Sequence, residues 1–116
     1  MPPLLAWAAA AGAAAVLAGA PAVAAAPARD AAPSAQVSLR NIAFVPATVR
    51  IRRGQSVRWT WRDPFVLHDL KSVGRPRFAG ETAKKTGTHT VRFRRAGRFR
   101  YECTLHPGMR GVVVVR

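Results

Sequence analysis

Gly97-Arg98-Phe99-Arg100-Tyr101-Glu102-Cys103-Thr104-Leu105-His106-Pro107-Gly108-Met109-Arg110-Gly111-Val112-Val113-Val114-Val115 runs almost to the end of the chain and decides how the rest is read. Its first part alternates. Phe99, Tyr101 and Cys103 fall on one side and Arg98, Arg100 and Glu102 on the other, the period of a strand with one face in a core. Gly111 to Val115 is apolar at every position, which predicts a closing strand covered on both sides. Between these strands lie the chain's only cysteine, a histidine and the only methionine besides the initiator, at successive three-residue steps. Pro107 and Gly108 suit a tight bend there, since proline fixes one backbone angle and glycine relaxes the next.

The same period continues upstream. Val37, Leu39 and Ala43 or Phe44 predict a first strand, Val49 and Ile51 a second, and Val57, Trp59 and Trp61 a third after the Arg53-Gly54 turn. Val91 and Phe93 alternate with arginines in a later one. No segment after residue 35 carries an apolar period of 3.6, and turn residues recur about every ten positions, so the fold class is all-β. Residues 74–87 lack clear alternation and predict no particular element.

The first 28 of the 116 residues carry no charged side chain. The apolar run from Leu4 to about Ala20, followed by small-residue sites near 24–28, predicts an export signal over residues 1–26. An Ala/Pro-rich leader over 27–35 and one domain over 36–116 complete the organisation. Lys and Arg number 19 against five acids, a formal charge of +14. That balance excludes basic partners and favours acidic proteins or an anionic cell surface; it predicts non-specific, not specific, contact with nucleic acid. GC-rich coding could produce the same arginine bias without a partner.

A lone cysteine in an exported protein has no internal disulfide partner, so burial or a metal must protect Cys103. Thiolate plus thioether favours copper, imidazole suits several transition metals, and thioether is a poor donor for zinc, magnesium or calcium. Cys103, His106 and Met109 are therefore candidate ligands, and a second histidine would complete a blue-copper set. Taken singly, each has a plainer role, as buried hydrophobe, surface loop residue or core filler. The second histidine is His68 or His89; His68, after a strand and a loop, is better placed than His89, which sits in a polar stretch.

Phe44-Val45-Pro46, Val49-Arg50-Ile51, Gly54, Val57-Arg58-Trp59, Asp63, His68, the Gly97-to-Cys103 run, His106, Met109 and Gly111 resemble the cupredoxin family in the same order. The plastocyanin and amicyanin branch is nearest, and the short Cys103-x-x-His106-x-x-Met109 loop is similar to that of amicyanins. The resemblance covers residues 37 to 116. It implies a Greek-key β-sandwich with one type 1 copper ion bound equatorially by His68, Cys103 and His106 and axially by Met109. Asp69 and Trp61 depart from the family, standing where asparagine is common; an asparagine after the first ligand can brace the loop that holds the thiolate.

The expected function is one-electron transport by an exported monomer, in the periplasm, cell wall or outside the cell. Leu105, His106, Pro107 and Met109 would form the docking patch for an acidic redox protein. A copper-delivery protein and a metal-free β-sandwich binding anionic polymer are the alternatives. An enzyme is not expected, because three histidines are too few for the further copper centres of multicopper oxidases and nitrite reductases.

Overall fold

The computed structural model describes residues 32–116. The export signal read over residues 1–26, and most of the leader, lie outside the described residues. Among the described residues no helix is long and apolar enough to cross a membrane.

Among the described residues, nine strands form two sheets: β1 (Ala35–Arg40), β2 (Ala43–Val45), β3 (Thr48–Ile51), β4 (Ser56–Trp61), β5 (His68–Val73), β6 (Glu81–Lys84), β7 (Gly87–Arg92), β8 (Gly97–Glu102) and β9 (Arg110–Val115). One sheet has the order β2-β1-β4-β7 and the other β3-β9-β8-β5-β6. The parallel pairs β1/β4 and β3/β9 tie distant parts of the chain together. This is the all-β sandwich that the alternation predicts.

Period-two patterning turns one row of each strand inward. Val37 and Leu39, Val57 and Trp59, and Val113 are fully buried, and Phe99, Tyr101 and Val115 nearly so. Trp59 organises the centre: it stacks on Phe78 with ring centroids 5.5 Å apart and meets Tyr101 edge-on at 5.4 Å, the offset and T-shaped arrangements that aromatic quadrupoles favour. Burial pushes the Tyr101 hydroxyl up to about 12 against an opposing pull from the Trp59 indole N–H. Neither of those two polar atoms makes a hydrogen bond of good geometry.

Several expectations are corrected. The first strand does not run on through Phe44; the chain reverses at Asn41-Ile42, both with positive φ (52° and 56°), and β2 folds back on β1 with Arg40 opposite Ala43. That is the two-residue hairpin whose central residues both need φ > 0. Asparagine accepts this readily and a β-branched isoleucine does not, so another contact must compensate. The Asp63 carboxylate supplies it, accepting the amide N–H of Asn41 at 2.8 Å and of Ile42 at 3.0 Å.

Two strands lack a sequence prediction. β6 is a polar edge strand with no buried residue, which leaves no apolar period to read, and β5 buries only His68 and Leu70. The closing strand β9 is not covered on both sides. Val113 and Val115 face the core, while Val112 and Val114 are half-buried. Val112 lines an open groove of about 550 Å³ with Arg98, Arg100 and Arg110, whose aliphatic stems can shelter apolar surface while the charged heads stay in water.

Gly111 lies opposite Tyr101 on the inner face, and a Cβ at Gly111 would overlap the tyrosine ring. Gly111→Ala should therefore cost about 1–3 kcal/mol through overpacking, read as a lower urea midpoint. An unchanged midpoint would contradict this packing.

Candidate metal centre

β8 and β9 pair antiparallel up to Glu102 opposite Arg110, so the loop between them must close within a few residues. Its backbone does so in steps of three. The amide of His106 donates to the Cys103 carbonyl (3.5 Å), that of Met109 to the His106 carbonyl (3.1 Å), and that of Cys103 back to Met109 (3.0 Å). A turn that repeats every three residues brings positions 103, 106 and 109 to one side, which is the physical reason for the spacing seen in the sequence. Gly108 takes φ +86° to complete the bend.

β5 begins under this loop with His68, which is fully buried. Its Nδ1 lies 3.8 Å from Cys103 Sγ, and His106 Nδ1 lies 3.4 Å from the same sulfur. All three donor atoms fall within 4.8 Å of one another. Metal bonds of about 2.1 Å to nitrogen and 2.3 Å to sulfur, 120° apart, require a nitrogen–sulfur separation of about 3.8 Å. The observed spacing fits one first-row metal ion. Met109, also part of the loop, is buried at 3% exposure, so a soft thioether belongs to the same buried loop and the residues suit copper. Met109 correspondingly adds no area to the docking patch expected from the sequence.

His89 lies apart from this cluster. Its Nε2 contacts the Ala79 carbonyl at 2.8 Å and its Nδ1 the Glu81 carboxylate at 3.1 Å.

Three side chains around the donors fix their orientation. His68 Nε2 lies 2.7 Å from Asp63 Oδ2; an ionised carboxylate only accepts, so Nε2 carries the hydrogen and Nδ1 presents its lone pair to the cluster. The Trp61 indole N–H donates to the His68 carbonyl at 2.8 Å. Asp69 accepts the Thr104 amide at 2.7 Å and also the Thr104 hydroxyl. Both departures from the family pattern thus hold the site: Asp69 braces the thiolate loop with two oxygens, and Trp61 pins the backbone of a donor. The sequence reading assigned Asp63 no role, although a carboxylate five residues before a candidate histidine ligand is the partner such a histidine commonly needs.

Burial pushes the Cys103 thiol up, the amides of Asp69 and Leu105 pull it down, and the Asp69 charge adds to the rise. Without metal the sulfur therefore holds its proton and is protected.

Burial alone would raise Asp63, but the Ile42 amide, the His68 ring and the Asn41 amide outweigh it and hold the carboxyl below its ordinary 3.8. A depressed folded value means that its contribution is full above the ordinary carboxylate range and is lost as pH falls through the folded value. Asp63→Ala should lower stability by about 1.5–3 kcal/mol at pH 7. In urea titrations the gap from wild type should narrow towards pH 3, and a gap of equal size at both pH values would contradict the ionised-hub reading.

No family model matches the chain. The amicyanin-alpha of Methylorubrum extorquens is 34% identical over 85 residues, covering 71% of this chain and 71% of that protein. The amicyanin of Paracoccus versutus is 31% identical over 83 residues, covering 68% of this chain and 62% of its own length, so the chain spans a little under two thirds of that relative. A solved structure of the reduced Cu(I) form of an amicyanin variant superposes with a TM-score of 0.58 at 29% identity, covering 77% of this chain and 89% of that one. With the sandwich, the short loop and these relatives in agreement, the chain belongs to the cupredoxin family, close to the amicyanins.

Proposed function

We propose that this chain is an exported one-electron carrier with a single type 1 copper ion, His68, Cys103 and His106 being its close donors and Met109 the weak fourth. The observation that carries the reading is the convergence of the two imidazoles and the one thiol within 4.8 Å, in a chain whose relatives are amicyanins. When bound, copper supplies a one-electron couple between its two oxidation states. The protein does the rest. Burial of His68, Cys103 and Met109 excludes water, and the contacts from Asp63, Trp61 and Asp69 hold the donors in one arrangement for both states.

His106 is the donor that reaches the surface, half-buried where His68 is fully buried. Exposed apolar side chains gather at the same end: Leu105 (49%), Leu67 (46%), Phe65 (90%) and Ile42 (50%). Leu105, His106 and Pro107 form the centre of a small docking patch, which the β1–β2 turn and the loop before His68 extend. Exposed Arg40, Arg62, Lys85 and Arg110 surround that end, which suits an acidic redox partner in a weak, transient encounter. The burial of His68, Cys103 and Met109 disfavours copper delivery, which needs ligand exchange with an acceptor. A metal-free polymer binder leaves the convergence of donors without a purpose.

Phe65→Glu combined with Leu105→Glu should slow electron exchange with a soluble acidic cytochrome about tenfold or more while leaving the visible spectrum of the copper-loaded protein unchanged. An unchanged rate would remove the patch from the proposal. Copper transfer to an apo-acceptor outrunning electron exchange would move the reading to delivery.

A further inference from the structure

Charge is distributed unequally along the sandwich. β5 starts at the metal centre and ends at the opposite pole, β8 runs the other way, and β9 returns to that pole, so the strand ends define what is gathered there. The β3–β4 turn carries Arg52 and Arg53, the loop after β5 carries Arg75 and Arg77, and the β7–β8 turn carries Arg94 and Arg95. All six are exposed. These segments are joined: the Arg53 amide donates to the Arg116 carbonyl, the Gly54 amide to the Phe93 carbonyl, and Arg92 Nε to the Gly54 carbonyl. Arg75, Arg77 and Arg95 also line one shallow depression around Pro76.

No Asp or Glu side chain among the described residues lies at this pole. Asp63 and Asp69 stand beside the metal donors, Glu102 ends β8 at the metal end, and Glu81 pairs with Leu70 in the body of the sheet. The pole also lacks a large exposed hydrophobic. Ile42, Phe65, Leu67 and Leu105 are at the metal end, and Val45 lies on β2.

We infer that this arginine pole docks on an anionic phospholipid surface, with the metal end facing away from it. A protein interface has an exposed apolar centre within its polar rim, whereas the apolar residues beside Arg77, Arg94 and Arg95 here, Phe78, Val91, Phe93 and Phe99, are buried or half-buried beneath them. Headgroup phosphates need only matching positive charge, which arginine meets with planar, bidentate donors. The Ser34 amide donates to the Ser56 carbonyl at the start of β4, so the described chain enters the sandwich at this pole, and the apolar run of the expected export signal is given no part in the docking.

The inference is independent of the proposed copper, and its test needs none. Binding of the full chain is measured to vesicles of phosphatidylcholine alone and with about one third phosphatidylglycerol, the ratio of the two affinities being the readout. Any contribution of the apolar run cancels in that ratio. Changing Arg52, Arg53, Arg75, Arg77, Arg94 and Arg95 to Gln should reduce the ratio about a hundredfold or more. Six changes to Gln elsewhere, at Arg40, Arg58, Arg62, Lys71, Lys85 and Arg110, should reduce it far less. If the sixfold pole variant fails to fold, each pair from one loop should still lower the ratio severalfold.

A wild-type ratio near one, equal losses in the two sixfold variants, or tighter binding to polyglutamate or duplex DNA than to the anionic vesicles would overturn the inference. Orientation has its own readout. A polarity-sensitive dye on Arg95→Cys should shift on binding and one on Phe65→Cys should not; the reverse pattern would also overturn it.

Discussion

The antiparallel pairing of β8 with β9 is the constraint on which the rest depends. Its last rung, Glu102 opposite Arg110, forces the intervening residues to reverse within a short span, and backbone hydrogen bonds at three-residue steps are how they do it. The Cys103 sulfur and the His106 imidazole at those steps are thereby brought together by main-chain geometry, with Met109 buried in the same loop. His68 joins them because β5 lies beside β8 in the same sheet. The donors sit on paired strand ends and a hydrogen-bonded turn, as a site that must keep one geometry requires.

Around this frame the carboxylates have separate tasks. Asp63 joins the β1–β2 hairpin to the site, compensating a left-handed isoleucine on one side and fixing an imidazole tautomer on the other. Asp69 joins the start of β5 to the thiolate loop. Each therefore couples a piece of fold to a donor atom. In a chain with few acids, placing two of them here also leaves the opposite pole, among the described residues, to arginine. The same economy of carboxylates shapes the site and the charge asymmetry of the body.

The fold class and the convergence of Cys103 with His106 were legible because each rests on a strong local signal. Alternation in Val57-Arg58-Trp59-Thr60-Trp61 and in Phe99 to Cys103 reports a one-sided strand directly, and three soft donors in one short run are chemically distinctive. What escaped the sequence depends on contacts between distant residues. Nothing near Ile42 indicates that it can turn left-handed, because the compensating carboxylate is 21 residues away. β6 is polar because it is an edge, and an edge has little core to report. β9 reads as doubly covered because valine recurs at every position, whereas its outer valines rely on arginine stems. Met109, read both as a candidate ligand and as part of the docking patch, is 3% exposed and so adds nothing to the patch.

The central claim is that Cys103 is a metal-bound thiolate within a prearranged set of four donors. The visible spectrum of the full chain after addition of Cu(II), recorded before and after ascorbate and repeated with Cys103→Ser, tests it most directly. The wild-type protein should show an intense blue band that vanishes on reduction, and the serine variant should never form it. A colourless or merely pale-blue wild-type protein, or a blue band that survives the loss of Cys103, would contradict it.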